Sequence, residues 1–490
     1  MSKKPNILKN YILNSTLTAL NIVYPLITYP WVNRILGPEK IGLVNWAVSI
    51  VSYFLLIAGL GIPIFGIREI ARYQNNKQKR TEVLGELIGT TISASVLCTI
   101  ALGIIVVFSP TMSNEFSLFC VVGLSIIINA FSVDWYFMGM ENYFFITVRS
   151  IVVKSLTLVA FFLFVREESD YVTYAFISMI ATSGSNLINI VSLVKAKELV
   201  GIKFTGFVSV VKKAGILFFV SLAISVYASG NITVLGYLAS KREVGYFTTS
   251  FKILQLSLAF LSSLVGVLLP RLSNSYQNEQ IEEYHRTIAL GFSGLLRLIY
   301  PIFVGMLFLA SEMVGVIGGA EFVPSIAILM LLSPVVIVSG VSNFVTNLIF
   351  IATGKERKVL VAALLGGVTC IALDFIFIPS LGGFGAGIAF LCAEVIIMTF
   401  YIFNIERHLG IMLIKNLFGK HTLSAILMGG VVFFVRDIFE NVVVSLFSAI
   451  VIGALSYVVL MTAVFRDALV IDMLQRILKR KKNAEETGRG

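Results

Sequence analysis

The sequence predicts an all-α integral membrane protein of about 14 transmembrane helices, built as two pseudo-symmetric six-helix lobes with an appended C-terminal helix pair. Three observations predict it. Hydrophobic residues make up 57% of the 490 and charged residues only 13%, where a soluble chain carries about 25% charged. Apolar runs recur from Leu8 to Phe465, and many reach the ~20 residues needed to cross a bilayer. Basic residues collect in alternate loops, and the first half of the chain echoes in the second.

Taken in order, runs and breaks place spans near 11–33, 41–66, 83–109, 116–139, 146–165, 171–194, 214–238, 245–270, 287–310, 322–351, 359–378, 385–404, 421–435 and 442–465. This gives an N-lobe over 1–200, a C-lobe over 201–410, the last two spans over 411–465 and a basic tail over 466–490. The start, with Lys3, Lys4 and Lys9, leads into an apolar run too long for a signal peptide and without a small-residue cleavage site. It reads as a first span.

The loops orient the chain. With the N-terminus cytoplasmic, inner segments hold 29 of the 38 Lys and Arg residues and outer segments six: Arg34, Lys40, Arg166, Lys241, Arg242 and Arg436. Cytoplasmic loops are the basic ones, so both termini are expected to lie in the cytoplasm. The net charge of +11 is then topological and implies no nucleic-acid partner. No loop exceeds about 20 residues by this reading, which leaves no room for a catalytic domain.

The repeat appears at an offset of 203 residues: Gly42 matches Gly245, Arg68 matches Arg271 and Tyr73 matches Tyr276. Gly139-Met140-Glu141 and Gly354-Lys355-Glu356 form a second echo. A six-span unit is even, so both copies share one topology and the axis follows the membrane normal. Two such lobes suit a cavity that opens to alternate sides.

Polar residues inside spans are costly, so each needs a reason. Span 6 carries Ser178, Thr182, Ser185, Asn189 and Ser192 at helical spacing. Hydroxyls serve helix packing; Asn21, Asn189 and Asn343 cost more and are expected to line a hydrated cavity. A charge at the bilayer centre costs about 2.5–3.5 kcal/mol on insertion scales. The candidates are Lys252, Arg297 and Lys154, with Arg149 and Arg34 nearer span ends. A cavity lined by such cations suits a phosphorylated headgroup. Glu394, Asp374 and Asp134 are candidates for ion coupling, although Asp134, Asp374 and Arg149 lie close enough to ends to snorkel. Pro25, Pro30 and the stretch Gly59-Leu60-Gly61-Ile62-Pro63 mark bends.

Other chemistries lack their residues. Cys98, Cys120, Cys370 and Cys392 lie in apolar runs without a paired motif, which argues against disulfides and a zinc site. His285, His408 and His421 fall near inner loops and read as solvated. Gly354-Lys355-Glu356 lacks the first glycine and the hydroxyl residue of a Walker motif, so no ATPase, cofactor or metal is expected.

Several segments are similar to one family. Asn10-Tyr11 through Trp31, then Leu36-Gly37-Pro38-Glu39-Lys40-Ile41-Gly42, resemble the polysaccharide-exporter, or O-antigen flippase, family. Phe65-Gly66-Ile67-Arg68-Glu69-Ile70-Ala71 and Asp134-Trp135-Tyr136-Phe137-Met138-Gly139-Met140-Glu141 do so too, as do Arg149 and Lys154. Gly318-Gly319-Ala320-Glu321-Phe322 and Thr353-Gly354-Lys355-Glu356 look like second-half counterparts. The resemblance implies membership of the multidrug, oligosaccharidyl-lipid and polysaccharide exporter superfamily, with two lobes, a cationic cavity and alternating access. It implies flipping of undecaprenyl-pyrophosphate-linked oligosaccharide from the cytoplasmic to the periplasmic leaflet, alongside the polymerase and chain-length machinery of that pathway. Some relatives carry an acid in span 2; Ile41 to Gly66 contains none. The alternatives are a multidrug or small-molecule exporter of the same fold, and a membrane enzyme of the same glycan pathway.

Overall fold

The computed structural model describes residues 7–199, 201–204, 207–417, 419–467 and 470. Nearly all of the expected basic tail, 466–490, lies outside the described residues. Among the described residues every regular element is helical. With so few polar side chains, satisfying backbone groups within each helix is what a bilayer demands.

The chain divides into two compact units. The first runs to Thr248 and adds Ile317–Phe322 and Ala363–Ala393; the second comprises Thr249–Val316, Val323–Ala362 and the chain from Glu394 onward. The helices before Thr248 are α1 (Ile7–Gly59), α2 (Ile62–Arg72), α3 (Lys77–Phe108), α4 (Pro110–Ser113), α5 (Phe116–Asn129), α6 (Asp134–Gly139), α7 (Tyr143–Phe164), α8 (Tyr171–Met179), α9 (Ser185–Lys195) and α10 (Phe207–Leu238). Helix α11 (Lys241–Gln277) passes into the second unit, which holds α12 (Ile281–Phe308), most of α13 (Ala310–Ile317), α14 (Pro324–Leu332) and α15 (Val335–Val345). Helix α16 (Glu356–Asn404) contributes to both units, and α17 (Arg407–Leu417), α18 (Lys420–Arg436) and α19 (Val442–Val459) complete the second. Asparagines start several helices: Asn76 accepts from the Lys79 amide and Asn441 from those of Val443 and Val444, which satisfies amides that a helix start leaves open.

Among the described residues ten helices are long and apolar enough to cross a membrane, or up to 11 with the bent pair Pro324–Leu332 and Val335–Ile351 counted as one span. Fourteen remains a reading of the sequence, finer than this count. Two of the helices exceed one crossing. Helix α1 has 53 residues, about 80 Å at 1.5 Å per residue, and α16 has 49, against a hydrocarbon core of about 30 Å. Each is broken at a glycine in the left-handed region: Gly37 at φ 65° and Gly382 at φ 55°, where a side chain would be strained. A carboxylate sits at each break. Glu321 Oε2 would lie 2.9 Å from a Cβ placed on Gly37, and Glu243 accepts the Gly383 amide at 2.7 Å.

The bend expected at 59–63 is a full break. Leu60 and Gly61 take φ of 48° and 73°, so the helix is interrupted there and α2 restarts at Ile62, within a membrane-length stretch that runs on to Arg72. The repeat also has a structural counterpart. A Cβ on Gly42 would come within 2.6 Å of Gly245 N, and Asn45 donates to Thr248 Oγ1 at 3.0 Å. Both pairs are 203 residues apart.

Candidate functional site

The membrane-depth cation of the first unit is Lys154. Helix α7 runs 22 residues from its Asn142 cap, so Lys154 sits near its middle, about 15 Å from either end. Its ammonium donates to Asn21 Oδ1 on α1 and stands 5.4 Å above the Tyr24 ring. Tyr24 Oη in turn meets Thr157 Oγ1 at 2.9 Å, one turn along α7. Lys154 is half-buried and Asn21 is exposed. Among the described residues no carboxylate reaches ion-pair distance of Lys154. One amide oxygen and a ring worth about 0.5–1 kcal/mol do not offset a charge at that depth.

The other cations near this end are compensated. Arg149 donates to Asp134 Oδ1 at 2.9 Å and to Asn189 Oδ1, and Asn189 Nδ2 donates to the same Asp134 oxygen at 2.7 Å. Three predicted site residues thus form one closed network. Arg149 and Asn189 are buried, Asn189 completely, so Arg149 does not snorkel as expected. Around this network the family-like segments pack on one another. A Cβ on Gly66 would strike the Trp135 ring at 2.5 Å, and one on Gly139 would meet Ile70 at 2.9 Å. Ile62, Ile70, Leu84, Leu87, Trp135 and Phe137 belong to the apolar cluster beneath. Arg34 is exposed on α1, its side chain beside the Gly319 backbone. Asp374, on α16, is fully buried, and neither of its oxygens has a hydrogen-bond partner among the described residues.

In the second unit Arg297 is also compensated. It grips Asp467 with Nε and Nη2 at 2.8–3.2 Å and donates to Ser293 at 2.8 Å. Lys420 joins the same carboxylate. Burial pushes the Asp467 carboxyl up, but the hydrogen bonds from Lys420 and Arg297 outweigh it and hold its pKa at about 2. Sequence reasoning missed Asp467 because it stands at the edge of a basic tail, 170 residues from its partner. Lys252 is half-buried on α11. Asn343 lines a cavity of about 70 Å³ with Ser262, Ser339 and Leu295. Glu394 is buried on α16.

Comparison with known proteins follows the same lines. The family described as polysaccharide biosynthesis protein matches residues 7–276. The chain is 23% identical over 417 residues to "Putative O-antigen transporter" of Escherichia coli (strain K12), covering 83% of this chain and 98% of that one. It is 23% identical over 233 residues to "Probable low-salt glycan biosynthesis flippase Agl15" of Haloferax volcanii, covering 47% of this chain and 49% of that one. Among solved structures it resembles "Lipid II flippase MurJ, inward closed conformation", with a TM-score of 0.73 at 16% identity, covering 94% of this chain and 100% of that one. It also resembles an inward-facing multidrug resistance transporter of the MATE family, with a TM-score of 0.62 at 14% identity over 82% and 99% of the two chains. The structural likeness establishes that the chain shares the all-helical fold of those proteins, and the match over more than half its length places the chain in the polysaccharide biosynthesis protein family.

Proposed function

We propose that the protein is a flippase that moves undecaprenyl-pyrophosphate-linked oligosaccharide repeat units from the cytoplasmic to the periplasmic leaflet of the inner membrane, by alternating access, for O-antigen or another surface polysaccharide. The observation that carries this reading is Lys154: an ammonium at mid-membrane, without a carboxylate partner among the described residues, beside an exposed amide. A pyrophosphate supplies the missing negative charge, and the exposed polar edge of Asn21 accommodates sugar hydroxyls. Arg34 in the first unit is a further substrate-binding cation, and in the second unit Lys252 is another, with Asn343 as a polar lining residue there. Arg149 and Asn189, held by Asp134, serve as scaffold, and Arg297 is set apart by Asp467. A pump for cationic drugs would present acids at such a depth rather than a lysine. The polymerase and chain-length machinery of the pathway are the downstream partners, and both termini are cytoplasmic by the loop charges.

Asp374 is the coupling residue we favour over Glu394 and Asp134. A buried carboxylate without a partner is stable only when protonated or bound to a cation, so it can carry one ion per cycle. The test is export in a strain deleted for this chain. Lys154→Ala is expected to lower surface glycan at least about tenfold, a barrier change of roughly 1.4 kcal/mol, and to accumulate lipid-linked units on the inner leaflet; Lys154→Arg retains export. Asp374→Asn is expected to leave export indifferent to collapse of the ion gradient. Wild-type glycan levels in Lys154→Ala, at normal protein abundance, would overturn the reading.

A further inference from the structure

Two of the three histidines in the chain converge on one carboxylate. His285 lies near the start of α12, while Glu406 and His408 flank the start of α17. His285 Nε2 is 3.6 Å and His408 Nε2 is 3.7 Å from the same Glu406 oxygen, Oε2. The imidazole rings are edge to face, with centroids 4.6 Å apart. One donor atom from each residue lies within 4.8 Å of the other two. All three belong to the second unit. His285 and His408 are solvent-accessible, as expected, while His421, also read as solvated, is buried; the first two are far apart in sequence and only the fold brings them together.

The spacing is informative. At 3.6–3.7 Å the imidazole nitrogens are too far from the carboxylate for good hydrogen bonds. A tetrahedral metal with bonds of about 2.0–2.1 Å separates its ligand atoms by roughly 3.4 Å. The three donor atoms lie within 4.8 Å of one another, so seating an ion requires them to close toward the tetrahedral separation. Two imidazoles and one carboxylate, with a fourth position left to water, suit zinc and its neighbours and are poor ligands for magnesium or calcium. The surroundings leave the donors available. Glu283 is taken by Arg271 at 3.0 Å, so it does not compete, and the Tyr284 ring lies 5.6 Å from that of His285. Tyr284 is itself anchored to the Leu348 carbonyl, which steadies the first turn of α12. Glu406 and His408 are more than half exposed and His285 about a third, so an ion can enter from water.

We propose that His285, Glu406 and His408 form a divalent transition-metal site of the zinc class that clamps α12 to α17. Binding at the site is independent of what the protein carries. Slowing of transport by the clamp rests on the flippase reading, because both helices must shift within a lobe that changes conformation.

The test uses the full chain, purified without a histidine tag and titrated with zinc chloride, with magnesium as the control. Wild-type protein is expected to bind one zinc per chain and to unfold at a higher temperature in its presence. His285→Ala, His408→Ala and Glu406→Gln are each expected to weaken binding at least about tenfold and to abolish the thermal shift. All three positions are solvent-accessible, so their metal-free unfolding should match wild type and folding defects are separated from lost ligands. Cys120→Ser removes an exposed thiol and should leave binding intact. No zinc bound by wild type at about 100 μM, well above the Kd of a useful site, would overturn the proposal. So would His285→Ala and His408→Ala binding as tightly as wild type. Zinc binding without any change in transport would remove only the clamp's regulatory role, and failure of export in every assay would fault the flippase reading while leaving the metal site standing.

Discussion

Lys154 and Arg297 look alike in sequence and differ in structure. Each is a cation well inside a long, largely apolar helix. Lys154 meets an amide oxygen and an aromatic face and is half-buried. Arg297 meets a forked carboxylate that is 1% exposed, with a second cation, Lys420, on the same group. The difference teaches that cost at membrane depth is set by the partner, and the partner is seldom local. A compensated charge is fixed in place and braces helices; an under-compensated one remains able to receive an anion.

The largest effect is expected where compensation is removed. Asp467→Asn leaves Arg297 beside a neutral group, and breaking a buried pair by one partner costs about 3–5 kcal/mol. Thermal unfolding in detergent should drop sharply for Asp467→Asn and for Arg297→Ala. The double replacement Arg297→Met with Asp467→Leu should recover part of the loss, because the one cation it leaves without its carboxylate is Lys420, which is 41% exposed and reaches water. Equal stability of wild type and Asp467→Asn would mean that Arg297 is not braced, and the contrast with Lys154 would fail. The pair is also robust to mild acid. A lowered carboxylate pKa contributes stability above the ordinary value of about 3.9, which is lost only as pH falls through about 2.

At Lys154 the opposite sign is expected for stability. Lys154→Met keeps length and removes a charge that costs about 2.5–3.5 kcal/mol at the bilayer centre before compensation. Its Tm should hold or rise while export falls, and a parallel fall of both would make Lys154 another structural brace.

Much of the fold could be read from the residues, because it follows from summed properties. Apolar runs, loop charges and the Gly59–Pro63 break are local or additive signals. The 203-residue echo was legible through Gly42 and Gly245 because close helix crossing tolerates only glycine there. The site was less legible. Asn21 and Lys154 lie 133 residues apart, and Asn189 reads as cavity lining until Arg149 and Asp134 enclose it. The family-like motif from Asp134 to Glu141 turns out to hold α2, α6 and α7 together through Trp135, Gly139 and the Arg149 pair, so its regularity reflects packing more than cargo. The histidines escaped notice for the same reason as Asp467: the relevant neighbour is distant in sequence, and pairing across such a distance has no periodic signature.

The smallest effect sharpens the comparison from the Lys154 side. Tyr24→Phe keeps the ring under the ammonium and deletes only the 2.9 Å hydroxyl contact with Thr157. Side-chain hydrogen bonds between membrane helices average about 0.6 kcal/mol, so stability should change by no more than that and export by less than about threefold. Tyr24→Leu removes the ring as well and takes away roughly 0.5–1 kcal/mol of cation–π attraction, which should lower export further at unchanged abundance. If Tyr24→Phe matches Tyr24→Leu, the hydroxyl contact rather than the ring positions the ammonium. If Tyr24→Leu leaves export untouched, Asn21 alone holds Lys154, and the aromatic face is packing.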